Sequence, residues 1–282
     1  MKLVTWNTQW CCGNDGITSP QRIVDGARAL EPDFDTLCLQ EISVNYPRLA
    51  GNPGHDQVEI IRGLLPGYQV FFGAAVDEWE GGERRQFGNL IATRLPVTQV
   101  RHHALPYPAD RGVRSMPRMC TVVTVRDPVL GPVRIMTTHL EYYSKLQRMA
   151  QAQALRAIHI EACEQAAAPP QLSQDGSPFQ SKVHTANAVL CGDFNLEPQD
   201  AEYPAIQAPA AGGVQLWDSW KLLHGNTPHI PTFHVHNKKY SPVPAACDFV
   251  FVSDGLKDRV KGLRVDSVTQ VSDHQPVTVS LG

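Results

Sequence analysis

The apolar run Ala188-Val189-Leu190-Cys191, closed by Gly192-Asp193-Phe194-Asn195, constrains this chain more than any other stretch. It reads as a short buried strand. Gly192 lets the backbone turn sharply at its end. Asp193 and Asn195 then stand at i and i+2, which in extended chain places them on one side. One supplies negative charge, the other a neutral donor and acceptor. The pair suits a metal-assisted phosphate site, with the acid handling a water and the amide holding an oxyanion. By itself, Asp-x-Asn after a strand is more often an Asx turn. Its weight comes from other strand ends that finish in the same way.

Those ends emerge along the chain. Lys2 to Trp6 is strand-like and closes at Asn7. Ser19-Pro20 predicts the N-cap and first residue of a helix to about Leu30. Asp35 to Leu39 is the next strand and delivers Gln40-Glu41 at its end, before a polar loop over 42–55. A helix from about Asp56 to Leu65 and a strand from Tyr68 to Phe72 follow. Val76 to Gln86 reads as a charged, glycine-containing loop carrying Trp79, Arg84 and Arg85. Asn89–Thr93 and Val97–His103 read as strands paired across a Pro96 turn. Arg118–Val125 and Val133–His139 read as a hairpin. The longest helical pattern runs from Ser144 to about Ala167 and is expected to cover a sheet. Residues from about 166 to 182 are low in complexity and predict a flexible surface loop within one domain spanning 1–282. Beyond the central strand lie a short helix near Trp217–Leu223 and an extended piece at Thr232–His236. Closing strands are expected at Asp248–Val252, Leu263–Thr269 and Pro276–Leu281. About ten strands with few helices predict an α/β fold of two sheets with helices outside.

The polar strand ends are therefore Asn7, Glu41, Asp193 with Asn195, Asp273-His274, the strand-opening Asp248 and the strand-closing His139. Four carboxylates gathered without a counter-charge would raise one another's pKa. A hard divalent cation answers that, and an all-oxygen set favours Mg²⁺ or Mn²⁺ over zinc. His229, His234 and His236 have no cysteine beside them and read as surface-loop residues. The net charge of −3 argues against a protein that coats long DNA. Seven cysteines, without a C-x-x-C, suggest neither a disulfide framework nor a zinc site. The first strand opens the chain with no apolar leader before it, and no apolar run reaches the length of a membrane span. A cytoplasmic monomer is the expectation.

Thr5-Trp6-Asn7, Leu39-Gln40-Glu41, Asn89-Leu90-Ile91-Ala92, Thr138-His139-Leu140-Glu141, Gly192-Asp193-Phe194-Asn195 and Ser272-Asp273-His274 come in that order over the whole chain. Together they resemble the ordered motifs of the endonuclease/exonuclease/phosphatase superfamily, which has the DNase I-like fold. The resemblance implies a four-layered α/β sandwich, two mixed β-sheets packed face to face with helices outside, and a site at one end of both sheets. It also implies roles. Glu41 would hold Mg²⁺ or Mn²⁺, helped by Asn7 and Asp273. Asp193 would orient or deprotonate the attacking water. Asn195 and His274 would stabilise charge on the phosphorus oxygens, with Asp248 keeping His274 protonated. His139 would contact the phosphate or leaving oxygen, and Arg118 stands where some members keep a phosphate-binding arginine.

Activity expected from the resemblance is metal-dependent hydrolysis of a phosphodiester, by a nuclease or a nucleic-acid-end phosphodiesterase. DNA or RNA ends are among the candidate partners. Thr138-His139-Leu140 departs from the pattern of abasic endonucleases. His139-Leu140-Glu141 with Gln147, Arg148 and Gln151 looks closer to tyrosyl-DNA phosphodiesterases. Inositol-phosphatase-like and sphingomyelinase-like members share the same core motifs, so a small-molecule or lipid phosphate ester is the alternative. A binding module that lost its chemistry is the remote one.

Overall fold

The computed structural model describes residues 1–238 and 242–282. Its strands are β1 (Lys2–Asn7), β2 (Thr36–Val44), β3 (Gln69–Glu80), β4 (Glu83–Thr93), β5 (Val97–Ala104), β6 (Met119–Asp127), β7 (Gly131–His139), β8 (Ala188–Asp193), β9 (Leu216–Asp218), β10 (Asp248–Ser253), β11 (Val260–Val265) and β12 (Val277–Leu281). Its α-helices are α1 (Pro20–Leu30), α2 (Gln57–Leu64), α3 (Lys145–Ala167), α4 (Glu202–Gln207) and α5 (Ser219–His224). The strands form two six-stranded sheets, ordered β11-β12-β1-β2-β4-β3 and β5-β6-β7-β8-β10-β9. Each sheet is antiparallel except for one parallel pair, β1 with β2 and β7 with β8. Parallel neighbours need a long crossover, and α1 and α3 supply it.

The layers follow from side-chain alternation along the strands. Leu3, Cys38, Val189, Cys191 and Val250 pack between the sheets. Their neighbours Val4, Leu37 and Leu39 face the other way, against Ile23, Val24 and Ile61 of α1 and α2. On the second sheet Leu190 and Phe251 pack with Ala152 and Leu155 of α3 and Ile206 of α4. Both faces of the central strands are covered, so their sequences are apolar throughout rather than alternating. The result is a four-layered α/β sandwich.

Local signals place several elements. Ser19 Oγ accepts from the Arg22 amide with Pro20 at the first turn of α1, and Ser144 caps α3 through the Gln147 amide. Elsewhere tertiary pairing overrides the sequence reading. Val76 to Gln86 is a long hairpin of β3 and β4, turning at Gly81-Gly82, rather than a loop. The segment 89–93 does not pair with 97–103: it pairs with β2 and β3, while β5 joins β6 in the other sheet. Residues 42–44 continue β2 instead of opening a loop. A further short helix, α4, lies between the central strand and the helix expected near Trp217. The 168–182 segment carries its own hydrogen bonds, among them Ser173 N to Ser181 Oγ at 2.8 Å.

Gly192 sits at φ 138°, and a Cβ there would lie 2.0 Å from the Thr138 carbonyl oxygen on the parallel neighbour β7. The clash is with backbone in the middle of a sheet and cannot be relieved by a rotamer. Gly192→Ala is expected to cost about 4 kcal/mol or more. A denaturant midpoint within error of the parent would refute this reading of the glycine.

Candidate active site

The two parallel pairs deliver the polar residues to one place. Asn7 ends β1 in register with Gln40 of β2. His139 ends β7 in register with Asp193 of β8, and Asp193 in turn pairs with Asp248 at the start of β10. Glu41 is not at a strand end. It sits in a β-bulge of β2 at φ 61°, between the paired residues Leu39 and Ile42. A bulge re-aims a side chain, and left-handed backbone at a non-glycine residue is strained. Here the bulge turns the Glu41 carboxylate toward the ends of β1 and β8.

Asn195 also differs from the extended geometry expected of it. Its φ is 51°, its amide donates to Asp193 Oδ1 at 2.9 Å, and its Nδ2 donates to the Leu140 carbonyl at 2.9 Å. The Asx turn suggested by the bare motif is therefore present. The turn locks Asp193 in place, and Asn195 still lines the cavity.

The cavity has a volume of about 470 Å³ and is lined by Glu41, Arg118, His139, Asp193, Asn195, Asp273 and His274 among others. Asn7 Nδ2 bridges Asp193 Oδ2 at 2.8 Å and Glu41 Oε1 at 3.2 Å, while its Oδ1 accepts the Gln9 amide. In this state Asn7 acts as a spacer between two acids through its nitrogen. Gln9, which the sequence reading missed, donates from Nε2 to Asp273 Oδ2 at 2.8 Å. His139 Nε2 stands 3.4 Å from Asp193 Oδ2 and 3.8 Å from Glu41 Oε1.

His274 Nδ1 lies 2.9 Å from Asp248 Oδ2, and its Nε2 lies 3.6 Å from Asp193 Oδ2. Asp248 is held by Thr232, whose Oγ1 accepts from the amides of Cys247 and Asp248. The ring of Phe233 stacks on His274 at 4.3 Å between centroids. In the sequence Phe233 belongs to an extended piece, and Thr232-Phe233 roughly resembles the segment before the final acid in tyrosyl-DNA phosphodiesterases. His234, expected on a surface loop, is buried beside it, and only His236 of that pair is exposed.

Charge explains the protonation pattern. Burial raises Glu41 to about 7, with Asp273 adding repulsion. Burial likewise lifts Asp193 to about 6 and raises Asp273. For His274, burial alone would favour the neutral ring, but Asp248 and Asp193 outweigh it and raise its pKa to about 10. His139 is driven the other way by burial and by the Arg118 and His274 cations, and is neutral. Arg118 is buried, with Nε 3.1 Å from Glu141 Oε2 and Nη1 without a hydrogen-bond partner. Glu141, fully buried, is the anchor of that arginine.

The donor set fits a hard cation. Glu41, Asp193 and Asp273 crowd one cavity at raised pKa, which a divalent ion would reverse. The cluster Asp193, Cys247 and His274, whose ligand atoms lie within 4.8 Å of one another, fits it less well. His274 Nδ1 is committed to Asp248, and burial holds the Cys247 thiol well above its usual pKa, hence protonated. Glu41 and Asp273, with Asn7 beside them, are the better candidates for holding Mg²⁺ or Mn²⁺.

Comparison with known proteins agrees with this architecture. The model of the endonuclease/exonuclease/phosphatase family matches residues 4–274. No curated protein matches the chain. An endonuclease/exonuclease/phosphatase structure from Beutenbergia cavernae DSM 12333 superposes with a TM-score of 0.66 at 23% identity, covering 100% of this chain and 72% of that one. A mannosyl-6-phosphatase from Bacteroides thetaiotaomicron VPI-5482 gives 0.64 at 18%, covering 100% and 99%. D. rerio TDP2 complexed with single strand DNA product gives 0.65 at 18%, covering 100% and 98%.

Proposed function

The chain belongs to the endonuclease/exonuclease/phosphatase family, and from that premise we propose that it is a divalent-metal-dependent phosphoesterase acting on a phosphodiester, most naturally at a nucleic-acid end. The observation that carries this reading is the convergence of Glu41, Asp193, Asn195, Asp273 and His274 on one cavity, with Asp248 behind the histidine. A bound Mg²⁺ or Mn²⁺ would supply Lewis-acid stabilisation of the phosphoryl oxygens. Asp193, fixed by Asn7 and the Asn195 amide, aligns a water and takes its proton. His274, held cationic by Asp248, offers Nε2–H to the charge developing on a phosphoryl oxygen. Neutral His139 and the unsatisfied Nη1 of Arg118 offer further donors to the phosphate or leaving oxygen. Asn195 Nδ2 is occupied by Leu140 in the present geometry, so its contribution to the oxyanion requires that bond to be exchanged.

Aromatic residues at the cavity support a substrate with a flat group beside the phosphate. Trp10, Phe87, Tyr142 and Tyr143 line it, whereas Trp79 stands 72% exposed on the β3–β4 hairpin and is not among its lining residues. Base stacking on such a wall is sequence-tolerant. The D. rerio TDP2 structure with single strand DNA product is compatible with that choice. The second reading is a phosphatase for a small phosphate ester. Among the described lining residues the positive side chains are Arg114, Arg118 and the cationic His274, enough for one phosphate group rather than a strand. The mannosyl-6-phosphatase neighbour points the same way. The seven free, buried cysteines support a reducing, cytoplasmic setting, and among the described residues no helix is long and apolar enough to cross a membrane.

Turnover of bis-p-nitrophenyl phosphate against p-nitrophenyl phosphate, with Mg²⁺ or Mn²⁺, separates the two readings. Diester turnover supports the first and monoester turnover alone the second. Turnover of neither would remove the enzyme reading. A panel of single-stranded oligonucleotides with defined ends, sugar phosphates, inositol phosphates and lipids then identifies the ester.

The dyad makes a separate expectation. His274 must stay protonated to act, and its raised pKa rests on Asp248. In Asp248→Asn the histidine should lose its proton at lower pH. The alkaline limb of kcat/KM at saturating Mg²⁺ should therefore move to lower pH, with the smallest loss at acid pH. An alkaline limb that stays in place would mean another group sets it.

A further inference from the structure

The opposite end of the second sheet carries a buried cation that makes no ion pair among the described residues. Arg134 stands on β7 five residues before His139, so roughly 17 Å of extended strand separates it from the active site. It is only 6% exposed. Nε donates to the Thr185 carbonyl at 3.1 Å, Nη2 meets His159 Nδ1 at 2.9 Å, and Nη1 lies 3.7 Å from Met136 Sδ. None of these partners carries negative charge. His159 is on the buried face of α3, and burial holds its pKa down to about 4, so it is a neutral acceptor. Burial pulls Arg134 itself down to about 10. An isolated buried guanidinium is costly unless something pairs with it.

Arg134 opens onto a cavity of about 30 Å³ between β5, β6, α3 and the segment before β8. Arg101, His103, His184, Glu161 and Gln165 line it with Arg134. Arg101 and Arg134 repel each other, and both push down on the His103 imidazole. His184 Nε2 is buried and without a hydrogen-bond partner. Glu161, the single carboxylate among these lining residues, is exposed and accepts from Gln165. The cavity thus gathers two guanidiniums, two imidazoles and the carboxamides of Gln99 and Gln165, with the one exposed carboxylate of Glu161, around a space that holds a few atoms. Planar guanidinium donors match tetrahedral oxyanions in pairs.

We propose that this cavity is a second anion site, distinct from the catalytic pocket, which takes a phosphate-class oxyanion between Arg134 and Arg101 with His103 and His184 as further donors. The oxyanion is inorganic phosphate or the terminal phosphate of a larger molecule. The site does not depend on the proposed phosphoesterase activity.

Histidine imidazole NMR signals of the full chain test it, because His103 and His184 report on this cavity while His139 and His274 report separately on the active site. Inorganic phosphate titrated into metal-free protein should shift the His103 and His184 signals saturably, assigned through His103→Gln and His184→Gln. Arg101→Gln, at the partly exposed rim, should weaken that response about tenfold and leave phosphoester turnover unchanged. A mononucleotide arm distinguishes the sources. Equal affinity identifies inorganic phosphate as sufficient, and tighter binding identifies a phosphorylated molecule whose remainder lies outside the cavity. The proposal falls if phosphate leaves both signals unmoved, if chloride moves them at the same concentration, or if Arg101→Gln binds phosphate as the parent does. Shifts of His139 and His274 alone would place phosphate binding in the active site and likewise end it.

Discussion

Asp193→Asn should lower kcat by about 10⁴-fold with the fold intact, the upper range for loss of a general base that also aligns the nucleophile. The geometry explains the size. Asp193 meets four other residues of the site: Asn7 Nδ2 at 2.8 Å, the Asn195 amide at 2.9 Å, His139 at 3.4 Å and His274 at 3.6 Å. An asparagine there keeps the shape but can neither accept the water's proton nor attract the His274 cation. The same substitution removes a buried negative charge that desolvation already disfavours, so metal-free stability near neutral pH should hold or rise. Circular dichroism and denaturant melts beside the kinetics check both halves. A variant that keeps more than about a tenth of the parent rate would exclude Asp193 as the base.

Glu41→Gln should cost about 10²-fold or more in activity, with partial rescue by excess Mn²⁺. The sign of the pH dependence follows from the raised pKa of about 7 against an ordinary 4.5. Stability conferred by the protonated form is fully present below the ordinary value and is lost as pH rises through about 7. Metal-free parent protein should therefore lose stability between about pH 4.5 and 7, and Glu41→Gln should lose less over that window. Metal binding must displace the Glu41 proton, so the Mg²⁺ concentration for half-activation should rise as pH falls below 7 in the parent. Unchanged Mg²⁺ dependence in Glu41→Gln would show that the ion is held elsewhere, and the metal-free melts would still report whether Glu41 carries the buried charge.

Short-range chemistry was legible in the chain itself. Ser19-Pro20 and Ser144 start helices because a side-chain oxygen and a fixed φ act within three residues. Ala188–Cys191 and Asp248–Val252 are strands because nothing polar interrupts them, and Asn7, His139 and Asp193 stand out because each ends such a run. The motif order was sufficient to imply the layered sandwich. Tertiary structure decided what depends on partners distant in sequence. The β3–β4 hairpin reads as a loop because its exposed half is charged, Arg84 with Asp77 and Arg85 with Glu80, and only pairing makes it strand. The Glu41 bulge appears only against the register of β4, since a bulge is a mismatch between two strands and not a property of one. Likewise, Arg118 reads as a free phosphate ligand until Glu141 is seen beside it, and Arg134 reads as an ordinary strand residue until His159 of α3 is seen against its guanidinium. Local conformation is set by neighbours along the chain, whereas burial and charge pairing are set by which sheets and helices meet, and those contacts gave the site its pKa values.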